Sequence, residues 1–162
     1  MKTAIIYISR RGTTLLITNM ITAALTGRNV TSIDLDQYPE PDLDHYQEII
    51  IGGPIYMGEL PQKLRAFCQT NIDKLMSKRL GLFVCGMIPD KTKQEEELNR
   101  AYPEPLRQKA RVAAFLGGAF VQDKLNLFEK LIVRFIAKTR KSVSKIEQSE
   151  IESFCRRFIR NS

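Results

Sequence analysis

The chain has no tryptophan, one histidine and three cysteines in 162 residues. Each scarcity excludes something. His45 stands alone, without a cluster of cysteine or acid ligands around it, so no metal site is expected. Cys68, Cys85 and Cys155 are odd in number, widely spaced and lack a C-x-x-C pair. That pattern fits a reducing compartment better than a disulfide framework. No apolar run reaches the roughly 18 residues a spanning helix needs. Lys2 leads at once into strand-like residues, not into a cleavable leader. The expectation is a cytoplasmic protein. Repeats, low-complexity stretches and linkers are also missing, so residues 1–162 read as one domain.

What is present is an apolar fraction of 43% and a net charge of +7. The first implies a globular core. The second implies an anionic partner. The charge is concentrated: Lys124, Lys130, Arg134, Lys138, Arg140, Lys141 and Lys145 face one acid in that window, Glu129. The rest of the chain is close to neutral. The aromatics in that window, Phe128 and Phe135, fall on the apolar face of the expected helix and not among its basic residues as stacking on nucleic acid would need, so nucleic acid is not an expected partner.

Strands and helices alternate along the chain. Lys2–Ile8 reads as a buried strand and Thr13–Leu25 as a helix with an i, i+3, i+4, i+7 stripe. Gly27 is its expected C-cap. Val30–Leu35 is a second strand. Tyr38-Pro39-Glu40-Pro41-Asp42 then breaks regular structure, and Leu35–Tyr46 is too short for a good helix. Glu48–Pro54 is a third strand, and its Ile49–Ile51 run suits a parallel sheet covered on both faces. A helix is expected over Leu60–Met76, a fourth strand over Arg79–Gly86, a solvated helix over Lys91–Ala101 and a shorter one to Ala110. Val112–Phe120 is the fifth strand. Asn126–Thr139 is an apolar and basic helix. Ser149 and Glu152 fit a capping box that opens the last helix. Five strands alternating with helices make an α/β doubly wound sheet.

In such sheets ligands sit at the carboxyl ends of the strands. Three strand ends here carry loop chemistry. Ser9-Arg10-Arg11-Gly12-Thr13-Thr14 breaks a strand into hydroxyls and a glycine and then opens a helix. Unpaired N–H groups and the helix dipole suit it to a phosphate. Pro54-Ile55-Tyr56-Met57-Gly58 offers backbone amides, an aromatic and apolar side chains. Cys85-Gly86-Met87 offers small and apolar contacts. A flat ligand with a phosphate tail suits all three, and flavin mononucleotide (FMN) has that shape.

These loops, with Phe115-Leu116-Gly117-Gly118-Ala119-Phe120 and Leu127–Ile132, resemble the flavodoxin superfamily over essentially the whole chain. Within it they look like the branch of menaquinone-dependent protoporphyrinogen oxidases. The resemblance implies a five-stranded parallel sheet of order 2-1-3-4-5 with helices on both faces, the 126–139 helix being an addition. It implies FMN, with its phosphate on Ser9 to Thr14 and its ring between Pro54–Gly58 and Cys85, Gly86, Met87. Tyr56 is then the stacking candidate. Flavodoxins usually carry a hydroxyl where this chain has Arg11, so Arg10 and Arg11 either pair with the phosphate or point to solvent. The third loop lacks the aromatic of many carrier flavodoxins, which leaves a ring face open to a substrate. No catalytic acid–base pair stands out.

The expected function is an FMN-dependent oxidoreductase passing electrons from a reduced substrate, such as protoporphyrinogen IX, to a quinone. The alternative is a flavodoxin-like carrier serving a protein partner. The 126–139 helix has two readings. Its apolar face packs on the domain, or it lies on an anionic membrane surface. Cys85 reads as a buried strand-end residue and His45 as solvated.

Overall fold

A computed structural model describes residues 1–117 and 145–160. Its strands are β1 (Lys2–Tyr7), β2 (Asn29–Asp34), β3 (Glu48–Pro54), β4 (Arg79–Cys85) and β5 (Val112–Phe115). Its α-helices are α1 (Thr13–Ala24), α2 (Gln62–Thr70), α3 (Ile72–Met76), α4 (Lys91–Ala101), α5 (Glu104–Lys109) and α6 (Lys145–Ile159). The five strands form one sheet in the order β2-β1-β3-β4-β5. Every pairing is parallel. The expected fold is the observed one.

The apolar runs of the inner strands serve two cores because side chains alternate along a strand. Ala4, Ile6 and Ile8 of the first strand segment join Ile49, Ile51, Leu82 and Val84 under α2 to α5. Ile5, Ile50 and Phe83 point to the other layer, where α1 and α6 bring Leu16, Ile17, Met20, Phe154 and Phe158. The edge strand β2 is mostly exposed, as its Thr and Ser residues require. Only a 3-10 turn, Leu43–His45, lies on the path from β2 to β3.

Several local expectations change. The helix over 60–76 is two helices. The Asn71 side-chain amide donates to the Phe67 carbonyl at 3.0 Å and ends α2 there. Leu60 and Pro61 precede the helix. The chain around α1 turns at Leu25, its C-cap, and Gly27 follows two residues later with φ 79°. The capping box at Ser149 is absent, because α6 is already running from Lys145. Ser149 is inside that helix, so no free N-terminal amide is there to cap. Glu152 instead accepts from Gln148 at 3.3 Å on the exposed face. Described β5 ends at Phe115; residues 118–120 and the helix expected over 126–139 lie outside the described residues.

At the amino end of the sheet Glu48 is fully buried. Thr3 donates to it at 2.6 Å, Arg28 at 3.0 Å and Arg79 at 2.8 Å. Burial pushes this carboxyl up, but the three donors outweigh burial and hold it below its ordinary range. The carboxyl end of the sheet is therefore the one left for a ligand.

Candidate functional site

At that carboxyl end the loops after β1, β3 and β4 enclose one cavity of about 450 Å³. Arg10, Arg11, Thr13, Thr14, the whole of Pro54–Gly58, Cys85, Gly86, Met87 and Ile88 line it. Parallel register explains the convergence. Tyr7 stands beside Gly52, and Pro54 beside Cys85, so the three chains leave the sheet at one level.

The first loop is held by Ser9. Its hydroxyl oxygen accepts from the Gly12 N–H at 3.1 Å and the Leu15 N–H at 3.3 Å. Leu15 is the third residue of α1, so Ser9 does the capping that Gly12, the N-cap, has no side chain to do. Accepting both leaves the Ser9 proton free to be donated outward. Gly12 has φ 90°, a left-handed conformation that costs glycine little. Thr13 and Thr14 open the helix, where N–H groups lack intrahelical acceptors. No acid sits in that first turn. Such a turn attracts an anion through its dipole.

The second loop is a tight reversal. Tyr56 and Glu59 exchange backbone hydrogen bonds at 2.9 and 3.0 Å. Met57 and Gly58 between them have φ 49° and 81°. Positive φ at both central residues is the type I′ pattern. Met57 bears that strain and stands fully exposed. The Ile55 N–H donates to the Cys85 carbonyl at 2.8 Å and ties this loop to the third. In the third loop, the Gly86 N–H donates to the Gly117 carbonyl at 3.0 Å, and the Gln94 amide donates to the Ile88 carbonyl. Met87 is exposed.

Thr14 and Cys85 meet inside, oxygen to sulfur, at 3.1 Å. Both residues line the cavity, and the contact engages the threonine hydroxyl while its N–H remains at the helix start. Burial pushes the Cys85 thiol up to about 12, with the Thr14 contact opposing weakly. Cys68 and Cys155 are pushed to about 12 by burial too. None of the three is a thiolate near neutral pH. His45 is exposed, 3.2 Å from Asp42, at the far end of the sheet.

The two arginines are placed differently. Arg10 pairs with Asp36 at 2.7 Å, and Lys63 reaches the other oxygen of Asp36 at 3.2 Å. The Arg11 guanidinium lies 5.4 Å from the centre of the Tyr56 ring, in cation–π range. Tyr56 itself is 41% exposed.

The comparisons with known proteins then fall into place. A family model described as a flavodoxin domain matches residues 4–146. The chain belongs to the flavodoxin domain family. Among solved structures it is similar to a flavodoxin of Streptococcus pneumonia TIGR4, at 13% identity and a TM-score of 0.51, covering 98% of this chain and 97% of that one. It is also similar to two-electron reduced Megasphaera elsdenii flavodoxin, at 20% identity and a TM-score of 0.53, covering 80% of this chain and 95% of that one. At such identities the likeness is one of fold. A search of curated proteins found no match.

Three features of this flavodoxin-domain chain were not expected from its sequence. Asp36 engages Arg10 of the first loop. Glu97 packs under Gly58, 3.2 Å from where a β-carbon would stand there. Tyr102 is buried and its hydroxyl lies 2.6 Å from the Phe83 carbonyl and 3.1 Å from that of Ile51. It pins β3 to β4 just before the second and third loops. None of the three belongs to a local motif; a tyrosine after a charged helix carries no signal of where its hydroxyl goes. A second cavity of about 670 Å³ adjoins the first across Gly86, Met87 and Ile88, with Leu98, Phe115 and Lys91 among its walls. Among the described residues no His, Cys, Asp and Glu group could hold a metal, and no helix is long and apolar enough to cross a membrane.

Proposed function

We propose that the chain is an FMN-binding redox protein whose phosphate cradle is Ser9–Thr14 and whose ring slot is Pro54–Gly58 with Cys85–Ile88. The observation carrying this reading is the convergence of all three loops on one cavity. The donor chemistry fits the group. The first turn of α1 offers unpaired N–H groups and no acid, while the ring loops offer Tyr56, Ile55 and Met87. When bound, FMN supplies a ring that takes up and gives back one or two electrons. The chain's own part is to anchor the phosphate, seat the ring against Tyr56, and keep Cys85 out of the redox chemistry by burial.

The finer reading is an oxidoreductase that passes electrons from a reduced substrate, such as protoporphyrinogen IX, to a quinone. The second cavity supports it, since it gives an approach beside the ring slot lined by Leu98, Phe115 and Leu116, with Lys91, Glu95 and Glu150 also on its wall. The alternative is a carrier that hands electrons to a protein partner. The exposed Met57 and Met87 around the slot favour that reading, as adaptable apolar contacts do at docking surfaces.

Absorption spectroscopy of the purified protein, titrated with FMN, tests the core claim. Flavin bands that shift, with fluorescence quenched at one equivalent, are expected; no change on FMN addition overturns it. The substrate reading is then tested by mixing FMN-loaded protein with protoporphyrinogen and a quinone analogue. Turnover supports it. Its absence, with rapid exchange to a protein reductase, supports the carrier.

A further inference from the structure

We infer, resting on the FMN reading above, that Asp36 and the flavin phosphate compete for the Arg10 guanidinium, and that Lys63 sets the balance between them. Asp36 and Lys63 are then positioning residues. They touch no ligand, and through Arg10 they set how strongly the site prefers a phosphorylated flavin over an unphosphorylated one.

The sheet brings the three side chains together. Arg10 lines the cavity at the carboxyl end; Asp36 and Lys63 are not among its described lining residues. β2 lies beside β1 with Asp34 opposite Tyr7, and the Leu35 N–H donates to the Tyr7 carbonyl at 2.9 Å. The loop after β2 therefore leaves the sheet beside the loop after β1. Asp34 fixes that loop. Its carboxylate accepts from the Asp36 N–H at 2.9 Å, and its carbonyl accepts from the Gln37 and Tyr38 N–H groups at 3.1 and 2.8 Å. Asp36 is thus held where the Arg10 Nη1 meets its Oδ2 at 2.7 Å. From the first turn of α2, the Lys63 Nζ reaches the other oxygen, Oδ1, at 3.2 Å. Arg10 and Lys63 also face one hollow of about 410 Å³, which shares Arg10 and Tyr56 with the main cavity. The carboxylate among its described walls, Glu59, is 3.5 Å from Arg65.

A donor given to one carboxylate is withdrawn from a second anion. The Arg10–Asp36 pair is partly exposed, and such pairs are weak, so a phosphate at the start of α1 can draw the arginine across. The cost of that exchange depends on what Asp36 keeps. With Lys63 in place the carboxylate retains a cation when Arg10 leaves. Without Lys63 it loses its last cation, and holds Arg10 harder. A flavin without a phosphate has no group to compete with, so this balance does not touch its affinity.

The test measures dissociation constants of the full chain for FMN and for riboflavin, by fluorescence quenching. Wild type, Asp36→Asn, Lys63→Gln and Arg10→Gln are compared, with Asp36→Asn and Lys63→Gln each also made in the Arg10→Gln chain. Asp36→Asn is expected to tighten FMN about fivefold, the scale of a partly exposed ion pair, and Lys63→Gln to weaken it about twofold. Riboflavin should follow neither change. Both effects should vanish in the Arg10→Gln chain, where no guanidinium is left to share. Asp36→Asn that leaves FMN unchanged overturns the inference, because Arg10 then takes no part in binding. Asp36→Asn that weakens FMN also overturns it, and makes Asp36 the group that aims Arg10 at the phosphate. Effects of full size without Arg10, or equal effects on riboflavin, overturn it as well. Failure of the wild type to bind either flavin overturns the proposed function instead, and is seen before any variant is compared.

Discussion

The side chains of Thr14 and Cys85 meet 3.1 Å apart, although 71 positions separate them in the chain. The contact joins the start of α1 to the end of β4, two of the three segments that line the cavity. It also decides what Cys85 is. Its thiol is buried beside a hydroxyl and is pushed up to about 12, against an ordinary 9.0. A thiol reagent at pH 8 is therefore expected to modify none of Cys68, Cys85 and Cys155 in the folded chain, and all three after unfolding. The same burial sets an alkaline limit. The unfolded thiols ionise near 9 while the folded ones hold their protons to about 12. Unfolding then releases protons, so stability falls as pH rises above about 9. Denaturant melts at stepped pH check this, and a flat profile between pH 9 and 11 would contradict it.

Ser9 has two tasks that one substitution separates from the rest of the cradle. Its oxygen accepts from the Gly12 and Leu15 amides, which leaves its proton available to a further acceptor. Ser9→Ala should cost about 1 kcal/mol of stability in the absence of ligand, as loss of a helix cap does. It should also weaken FMN about tenfold, through the lost hydroxyl donor. Thr13→Ala supplies the contrast. Thr13 takes part in no capping bond to Ser9, so its replacement should leave ligand-free stability nearly unchanged. Urea titration and fluorescence quenching read the two effects apart.

The parts of this architecture that sequence made legible are those set by local pattern. The Ile49–Ile51 run suited a strand covered on both faces, and it is one. The breaks at Ser9, Pro54 and Cys85 could be aligned because parallel strands end at one edge. What stayed hidden depends on contacts made across the fold. Asn71 splits a helix through one amide bond to Phe67. Ser149 and Glu152 have the spacing of a cap, but the same spacing occurs along any exposed helix face. Nothing near Thr14 says that its hydroxyl meets Cys85, since that partner lies at the end of β4. Arg11 resting on Tyr56 is likewise a meeting of two loops that no spacing encodes.

Glu48 should make the fold sensitive to acid. Its carboxylate is buried and accepts from Thr3, Arg28 and Arg79, and these donors keep its pKa below the ordinary value of 4.5. A depressed carboxylate contributes stability above its unfolded pKa and loses it as pH falls through the folded one. Glu48→Gln keeps the shape but strands two arginines, and should cost about 3 kcal/mol at neutral pH. The gap between wild type and variant should close as pH falls below the ordinary 4.5, because wild type then loses the charge as well. A gap that stays constant down that range would mean that packing, not ionisation, is what Glu48 supplies.

The Met57-Gly58 turn stores strain in the loop after β3, which lines the cavity. Both residues have positive φ, and only one of them is glycine. Met57→Gly should raise stability by about 1 kcal/mol, because the methionine β-carbon is relieved of a left-handed backbone. Met57 is fully exposed, so little packing is lost in exchange. Gly58→Ala should do the reverse for two reasons: φ is 81°, and the new β-carbon would lie 3.2 Å from a Glu97 carboxylate oxygen. Glu97→Ala in the same chain removes the second reason and leaves the first. The double variant should therefore recover part of the loss, with about 1 kcal/mol remaining for the backbone alone. Full recovery would show that space, not φ, governs Gly58. No recovery would show that Glu97 yields freely, and that the turn's handedness by itself fixes glycine at this position.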